Sequence, residues 1–199
     1  MRKITVLEFI TIDGVMQAPG GPEEDPTAKF EFGGWQAPFM GDEAVDAVTG
    51  PALKADVEFL LGGYTFEIWS GYWPKHGDFW PFINDNMKYV LSTTKTETSW
   101  QNTTFLQNLE DIKKLKSKDG PDLQVWGSSQ LVQLLLANNL VDELCLMTYP
   151  IILGQGKKLF ANGAAPRTFT LIESHAGKTG AIATRYARAG EVKTGTVGE

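Results

Sequence analysis

Residues 125–160 read VWGSSQLVQLLLANNLVDELCLMTYPIILGQGKKLF. An apolar strand over 123–126 meets Gly127, Ser128 and Ser129, and a helix is expected from there to Asn139. A second strand follows over 144–153, interrupted only by Pro150. A strand that turns through glycine into a helix and returns as a strand is the repeating unit of a parallel sheet.

The same corner occurs earlier, in LLGGYT at 60–65, where an apolar strand over 57–61 gives way to Gly62-Gly63 and Thr65 is expected to cap a short helix. Other elements fit around these two. Residues 4–12 are β-branched and nearly apolar on both faces, as in an inner strand. Residues 14–41 form a long Gly/Pro-rich segment that includes APGGPEEDP and FGGW, a length that inside a domain is usually functional. Asp42 is placed to cap a helix from Glu43 to about Lys54, with Pro51 as a potential break. A short strand is expected over 89–92, and a polar helix from Asn108 and Asp111 to Lys118, closed by Gly120-Pro121. Residues 168–173 and 181–187 read as a hairpin joined by HAGKTG. Strands alternate with helices early and pair late, which predicts a three-layer α/β/α domain with a mostly parallel mixed sheet and an antiparallel C-terminal edge. One domain over 1–188 and a polar tail over 189–199 account for the chain.

Bulk properties narrow the function. The 199 residues are 42% hydrophobic, enough for a full core, and the net charge of −6 with no basic run argues against nucleic acid and anionic membranes as partners. Thr5, Glu8 and Thr11 interrupt the first apolar stretch, so neither a signal peptide nor a membrane span is expected, and a cytoplasmic protein is. Cys145 is the single cysteine and His76 and His175 lie far apart, so no metal site is expected. No G-x-S-x-G elbow is present, which removes the usual serine hydrolase.

A glycine corner ahead of a helix directs main-chain N–H groups outward, at the positive end of the helix dipole, where an anion is stabilised. It is also how ordinary α/β proteins begin helices. Two such corners at neighbouring strand ends, with a third candidate in LSTTK at 91–95, form the kind of crevice in which nucleotides bind. Asp13, where the first strand ends, is the candidate catalytic acid, and its Asp-Gly pair is also a plain turn. Asp42, Glu43 and Glu67 are alternative acids that equally suit helix starts. Eight of the nineteen residues from 64 to 82 are aromatic, and together with Trp35 they offer either a slot for a flat ring or core packing.

The order ITIDGV, LLGGYTFE, KYVLST and the segment 126–160 resembles the dihydrofolate-reductase-like reductases, in particular the reductase domain of the riboflavin-biosynthesis deaminase/reductase. The resemblance runs from Arg2 to about Arg188. It implies a homodimer, NADPH as cofactor with NADH as the alternative, and hydride transfer to a small heterocyclic or carbonyl/imine substrate. It also implies that Gly62, Gly63, Tyr64 and Thr65 lie by the adenosine and pyrophosphate, Ser92, Thr93 and Thr94 by the ribose, and Gly127, Ser128, Ser129 and Gln130 by the pyrophosphate. The loop from Asp13 through Val15 and Met16 to Gln17 would cover the nicotinamide, with Gln17 and Trp35 toward the substrate and Asp13 or an ordered water giving the proton.

Three positions depart from the family. Arginines that commonly follow the first corner glycine and stand at Thr93 are replaced by Gly63 and Thr93, each an expected loss of ~1.5–3 kcal/mol of charge-assisted phosphate binding. Lys88 and Lys95 are the nearby cations. Val15 stands where the riboflavin enzymes carry lysine, so a 5-amino-6-(5-phosphoribosylamino)uracil substrate is not supported. A rival reading follows, that of a non-catalytic nucleotide-binding or dimeric regulatory module.

Overall fold

The computed structural model describes residues 1–54, 56–80, 82–160 and 165–198. The chain runs β1 (Ile4–Thr11), α1 (Glu43–Lys54), β2 (Val57–Gly62), α2 (Gly63–Tyr72), β3 (Lys88–Leu91), β4 (Thr103–Leu106), α3 (Leu109–Ser117), β5 (Asp122–Trp126), α4 (Ser129–Ala137), β6 (Glu143–Tyr149), β7 (Thr168–Ala176) and β8 (Ile182–Gly190). Among the described residues these strands make one eight-stranded sheet, ordered β4-β3-β2-β5-β1-β6-β8-β7. Every pairing from β4 to β6 is parallel, and β8 and β7 are antiparallel.

Alternation along the strands divides the core between the two faces. Leu7, Phe59, Leu61, Met147 and Tyr149 pack with Ala44, Val45 and Val48 of α1. Ile4, Val6, Leu60, Leu123 and Val125 pack with Ile112 and Leu115 of α3 and with Leu131, Val132 and Leu135 of α4. The crossover through α1 thus lies on one face and the crossover through α4 on the other. They diverge where β1 sits between β5 and β6, which opens a crevice outside the strands' carboxyl ends.

Local chemistry explains most boundaries. Asn108 caps α3 by accepting the Asp111 N–H at 3.2 Å, and the Asp42 carboxylate accepts the Ala44 N–H at 2.9 Å at the start of α1. Pro51 stands inside α1 without ending it. Four details differ from the sequence reading. β6 stops at Tyr149 instead of reaching 153, because Pro150 has no N–H to give the ladder. The hairpin strands extend to Ala176 and Gly190, so β8 takes in two residues assigned to the tail; Glu199, the tail's last residue, lies outside the described residues. Thr103–Leu106 is an additional edge strand. Finally, Gly62 and not Thr65 occupies the position before α2, in extended conformation, and Thr65 lies in the first helical turn.

Candidate functional site

A cleft of about 690 Å³ opens at the carboxyl ends of β2, β5 and β1, a size in the usual range for small-molecule sites. One end is built from the two glycine corners. Gly127 and Ser128 both have left-handed backbones, with φ of 67° and 70°, a conformation that costs a serine roughly 1 kcal/mol or more. Ser128 turns its hydroxyl sideways: it accepts the Gly62 N–H at 2.9 Å and donates to Thr65 Oγ1 at 2.6 Å. The corners are therefore tied to each other, and the Gly62 N–H is committed. A Cβ added at Gly62 would lie 2.8 Å from Ser128 Oγ, so this glycine is required by that close approach. The first turns of α2 and α4 remain as the anion-facing N–H groups.

Beside the second corner, β1 outruns β5. Lys3 C=O accepts the Leu123 N–H, so odd-numbered residues of β1 aim their main-chain groups at β5. The paired register ends at Leu7 opposite Trp126, whereas β1 and β6 stay paired to Thr11 opposite Tyr149. Phe9 therefore directs its N–H and C=O past the end of β5, and it lines the cleft.

Glu8, beside it, is only 3% exposed, and its Oε1 has no hydrogen-bond partner among the described residues. Burial holds its carboxyl well above the ordinary carboxylate range, with the Gly127 N–H acting in the opposite direction. The sequence carried a signal for it, an acid inside the run VLEFI, read there only as an interruption.

The loop over 13–41 closes the same end. Asp25 accepts from Lys157 Nζ at 2.6 Å; burial opposes its ionisation, but Lys157 and Thr27 outweigh it and leave its pKa low. The Lys157 ammonium also sits 4.8 Å above the Tyr64 ring. Gln17 lies on the cleft wall with its amide fully used: Nε2 donates to the Asp25 and Thr27 carbonyls and Oε1 accepts the Lys157 N–H.

Of the residues singled out in the sequence, Met16, Gln17, Gly62, Gly63, Tyr64, Thr65, Gly127, Ser128, Ser129 and Gln130 line the cleft together. Trp69, Trp73 and Trp80 of the ring-rich segment line it too, whereas Asp13, Val15, Trp35, Ser92, Thr93 and Thr94 stand apart from its wall. Asp13 accepts from Thr11 Oγ1 and from the Leu153 and Gly154 N–H groups; burial works upward on its pKa, yet these bonds outweigh it and keep the carboxylate ionised. It pins one loop to another and is badly suited to giving a proton. Val15 is fully buried against the loop of Lys158. Ser92 stands behind Gly63, accepting the Thr94 and Lys95 N–H groups, while Thr93 and Thr94 are exposed. Trp35 is buried, donating to the Gln17 carbonyl at 2.8 Å.

Neither lysine takes the place of the missing arginines. Lys88 is buried and donates to the carbonyls of Ile83, Asn84 and Asn86, its pKa lowered by burial to about 8; Lys95 pairs with Glu67 at 3.0 Å. Of the alternative acids, Asp42 caps α1 and Glu43 is exposed. Asp142 and Glu143 serve the junction with β1 and β8, through Ile4 N–H, Lys3, Arg185 and Arg188. Among the described residues no three His, Cys, Asp or Glu side chains converge as metal ligands, and no helix is long and apolar enough to cross a membrane.

Residues 2–183 match the family described as the RibD C-terminal domain. A curated relative, the "Uncharacterized protein YyaP" of Bacillus subtilis (strain 168), is 35% identical over 108 residues; the match takes in 51% of this chain and 57% of that protein, so the chain spans little more than half the relative's length. Among solved structures, a candidate riboflavin biosynthesis protein from Shewanella sp. PV-4 superposes with a TM-score of 0.68 at 22% identity, over 94% of this chain and 99% of that one. A dihydrofolate reductase from Enterococcus faecalis, complexed with NADP(H) and RAB-propyl, gives 0.64 at 13% identity, over 94% and 96%. The fold is that of the dihydrofolate-reductase-like proteins.

Proposed function

Because this chain belongs to the family of the RibD C-terminal domain, a family of reductases, we propose that it is a nicotinamide-dependent reductase acting on a small heterocyclic or carbonyl/imine compound. The observation that carries this reading is the main-chain edge of Phe9, which runs past the end of β5 beside the Gly127 corner and lines the same cleft as both corners. An outward N–H and C=O on one residue complement a carboxamide, and the corner N–H groups complement a pyrophosphate. The residues present fit a dinucleotide: Gly63 and Gly127 put no side chain over the first turns of α2 and α4, and both line the cleft.

A reduced nicotinamide, as NADPH or NADH, would supply the hydride when bound. The chain's own part is to orient and to exclude water. Gly63 to Thr65 and Ser129 to Gln130 hold the phosphates, the edge of Phe9 orients the carboxamide, and the loop of Met16 and Gln17 covers it. With Asp13 engaged elsewhere, the phenols of Tyr149 and Tyr64 and the carboxyls of Glu8 and Glu24, all raised by burial, are the wall groups suited to holding a proton where an exposed carboxylate has lost its own. A phosphoribosyl substrate is not part of the proposal, since among the described lining residues there is no arginine.

That same lack favours one rival, a nucleotide-binding module without catalysis. Titration of the protein with NADPH and NADH by tryptophan fluorescence separates the two. Micromolar binding of either is expected, weakened about tenfold or more in Gly62→Ala, which pushes on Ser128. Failure of both to bind at millimolar concentration would sink the reductase; tight binding with no turnover of any carbonyl or imine would leave the module. A homodimer belongs to the proposal, with exposed Leu171, Ile172 and Ile182 on the outer hairpin as its apolar strip, and sedimentation velocity giving a monomer would remove it.

A further inference from the structure

The end of the cleft away from the glycine corners is walled by Phe39, Trp69, Trp73, Trp80, Trp126 and Tyr149. Trp80 is the hub, 5.4 Å from each of Trp69, Trp73 and Trp126 and edge-on to all three. Its Nε1 donates to the Leu53 carbonyl, and Trp126 Nε1 donates to Gln124 Oε1. Both indoles have thus spent their polar atoms inside the protein and turn only carbon toward the cleft. Thr49, on α1, has done the same, its hydroxyl donating to the Val45 carbonyl.

Tyr149 brings a hydroxyl to this wall, beside the indole N–H groups of Trp69 and Trp73, which donate to nothing among the described residues. Tyr149 Oη accepts from Gln36 Nε2 at 2.8 Å, and its own proton goes to no group among the described residues. Burial pushes the phenol to about 12, with Gln36 pulling the other way and Asp42 and Asp46 adding to the rise, so the hydroxyl stays a donor at any physiological pH. The charges at this end point the same way. Asp46, on α1, is a carboxylate on the lining there. The one cation on the cleft wall, Lys157, is at the other end, paired with Asp25.

We propose that the acceptor compound is flat, ring-bearing and uncharged, carries a carbonyl oxygen that takes the Tyr149 hydrogen bond, and bears neither phosphate nor sugar. Carbon walls favour a planar apolar body. A buried phosphate, by contrast, would meet no cation and an acid in Asp46. A sugar would leave most of its hydroxyls without partners. The word acceptor rests on the reductase reading above; the selectivity of the slot does not, because it is measurable with no dinucleotide present.

Isothermal titration with coumarin, uridine and uridine monophosphate tests it directly. Coumarin, a flat ring system with one carbonyl, is expected to bind the wild-type protein at least tenfold more tightly than uridine, and uridine monophosphate not measurably. Tyr149→Phe keeps the ring and removes the donor, and is expected to weaken coumarin roughly 5–10-fold. Asp46→Lys changes an exposed position on α1 and leaves the rings in place; it is expected to raise uridine monophosphate affinity at least tenfold while leaving coumarin within about twofold. Uridine monophosphate binding the wild type more tightly than coumarin overturns the proposal, as does failure of coumarin to bind. Unchanged coumarin affinity in Tyr149→Phe removes the assigned docking point and overturns it too. A protein that binds coumarin in this pattern but no dinucleotide would keep the slot and lose the reductase reading.

Discussion

Gly177→Ala is expected to destabilise the protein by about 3 kcal/mol, lowering the midpoint of thermal unfolding by roughly 6–12 °C. The new Cβ would lie 1.8 Å from Asp42 Oδ1 and 2.3 Å from its Cγ, so the carboxylate has to leave. Asp42 is short, buried, and committed on both oxygens: Oδ1 accepts the Ala44 N–H, and Oδ2 accepts the Thr179 N–H at 3.0 Å and its hydroxyl at 2.7 Å. Losing a helix cap costs about 1 kcal/mol, and losing hydrogen bonds to a charged acceptor about 1.5–3 kcal/mol. The mechanism is checked by the double variant with Asp42→Ala. If the clash acts only through Asp42, the pair costs little more than Asp42→Ala alone, and simple addition of the two effects would place the damage elsewhere.

Glu8→Gln is expected to stabilise the protein, and by more as the pH rises. The folded pKa of Glu8 lies well above its ordinary value of 4.5. Between the two values the folded state holds a proton that the unfolded state has released, so this group's contribution to stability is complete below the unfolded pKa and is lost as pH rises toward the folded one. A neutral amide of the same shape has no such loss. Urea unfolding should show little difference between the proteins at about pH 5 and an advantage for the variant that grows as the pH is raised toward about 8. A constant difference across that range would mean that Glu8 is ionised and hydrated in the native protein. A residue that costs stability at neutral pH and stands at the lip of the cleft is one whose role is sought in binding.

The sequence was legible where signals are local. The glycine corners, the cap at Asn108 and the strand–helix–strand run over 125–160 each depend on neighbours a few residues apart. What it could not disclose depends on distant partners. Ser128 reads as a donor facing a ligand, but its hydroxyl is taken by Gly62 and Thr65, more than sixty positions away. Asp13 reads as an acid at a loop mouth, but Leu153 and Gly154 claim its oxygens. Four residues of β4, following a polar stretch, are too short to declare themselves by alternation. The ring-rich segment showed its composition but not its division of labour: Phe66 packs on Trp100 and Phe105, away from the cleft, whereas Trp69, Trp73 and Trp80 line it.

The central place of β1 has a consequence for how this chain comes into being. β1 has for neighbours β5 and β6, whose residues follow it by some 120 to 140 positions. An apolar segment buried on both faces in the finished sheet must therefore wait, unpaired, while the elements from β2 to α3 are made. Such long-range closure is slow and leaves sticky intermediates exposed. A circular permutant beginning at the loop before β5 is therefore expected to fold with a shorter delay, which stopped-flow refolding would show.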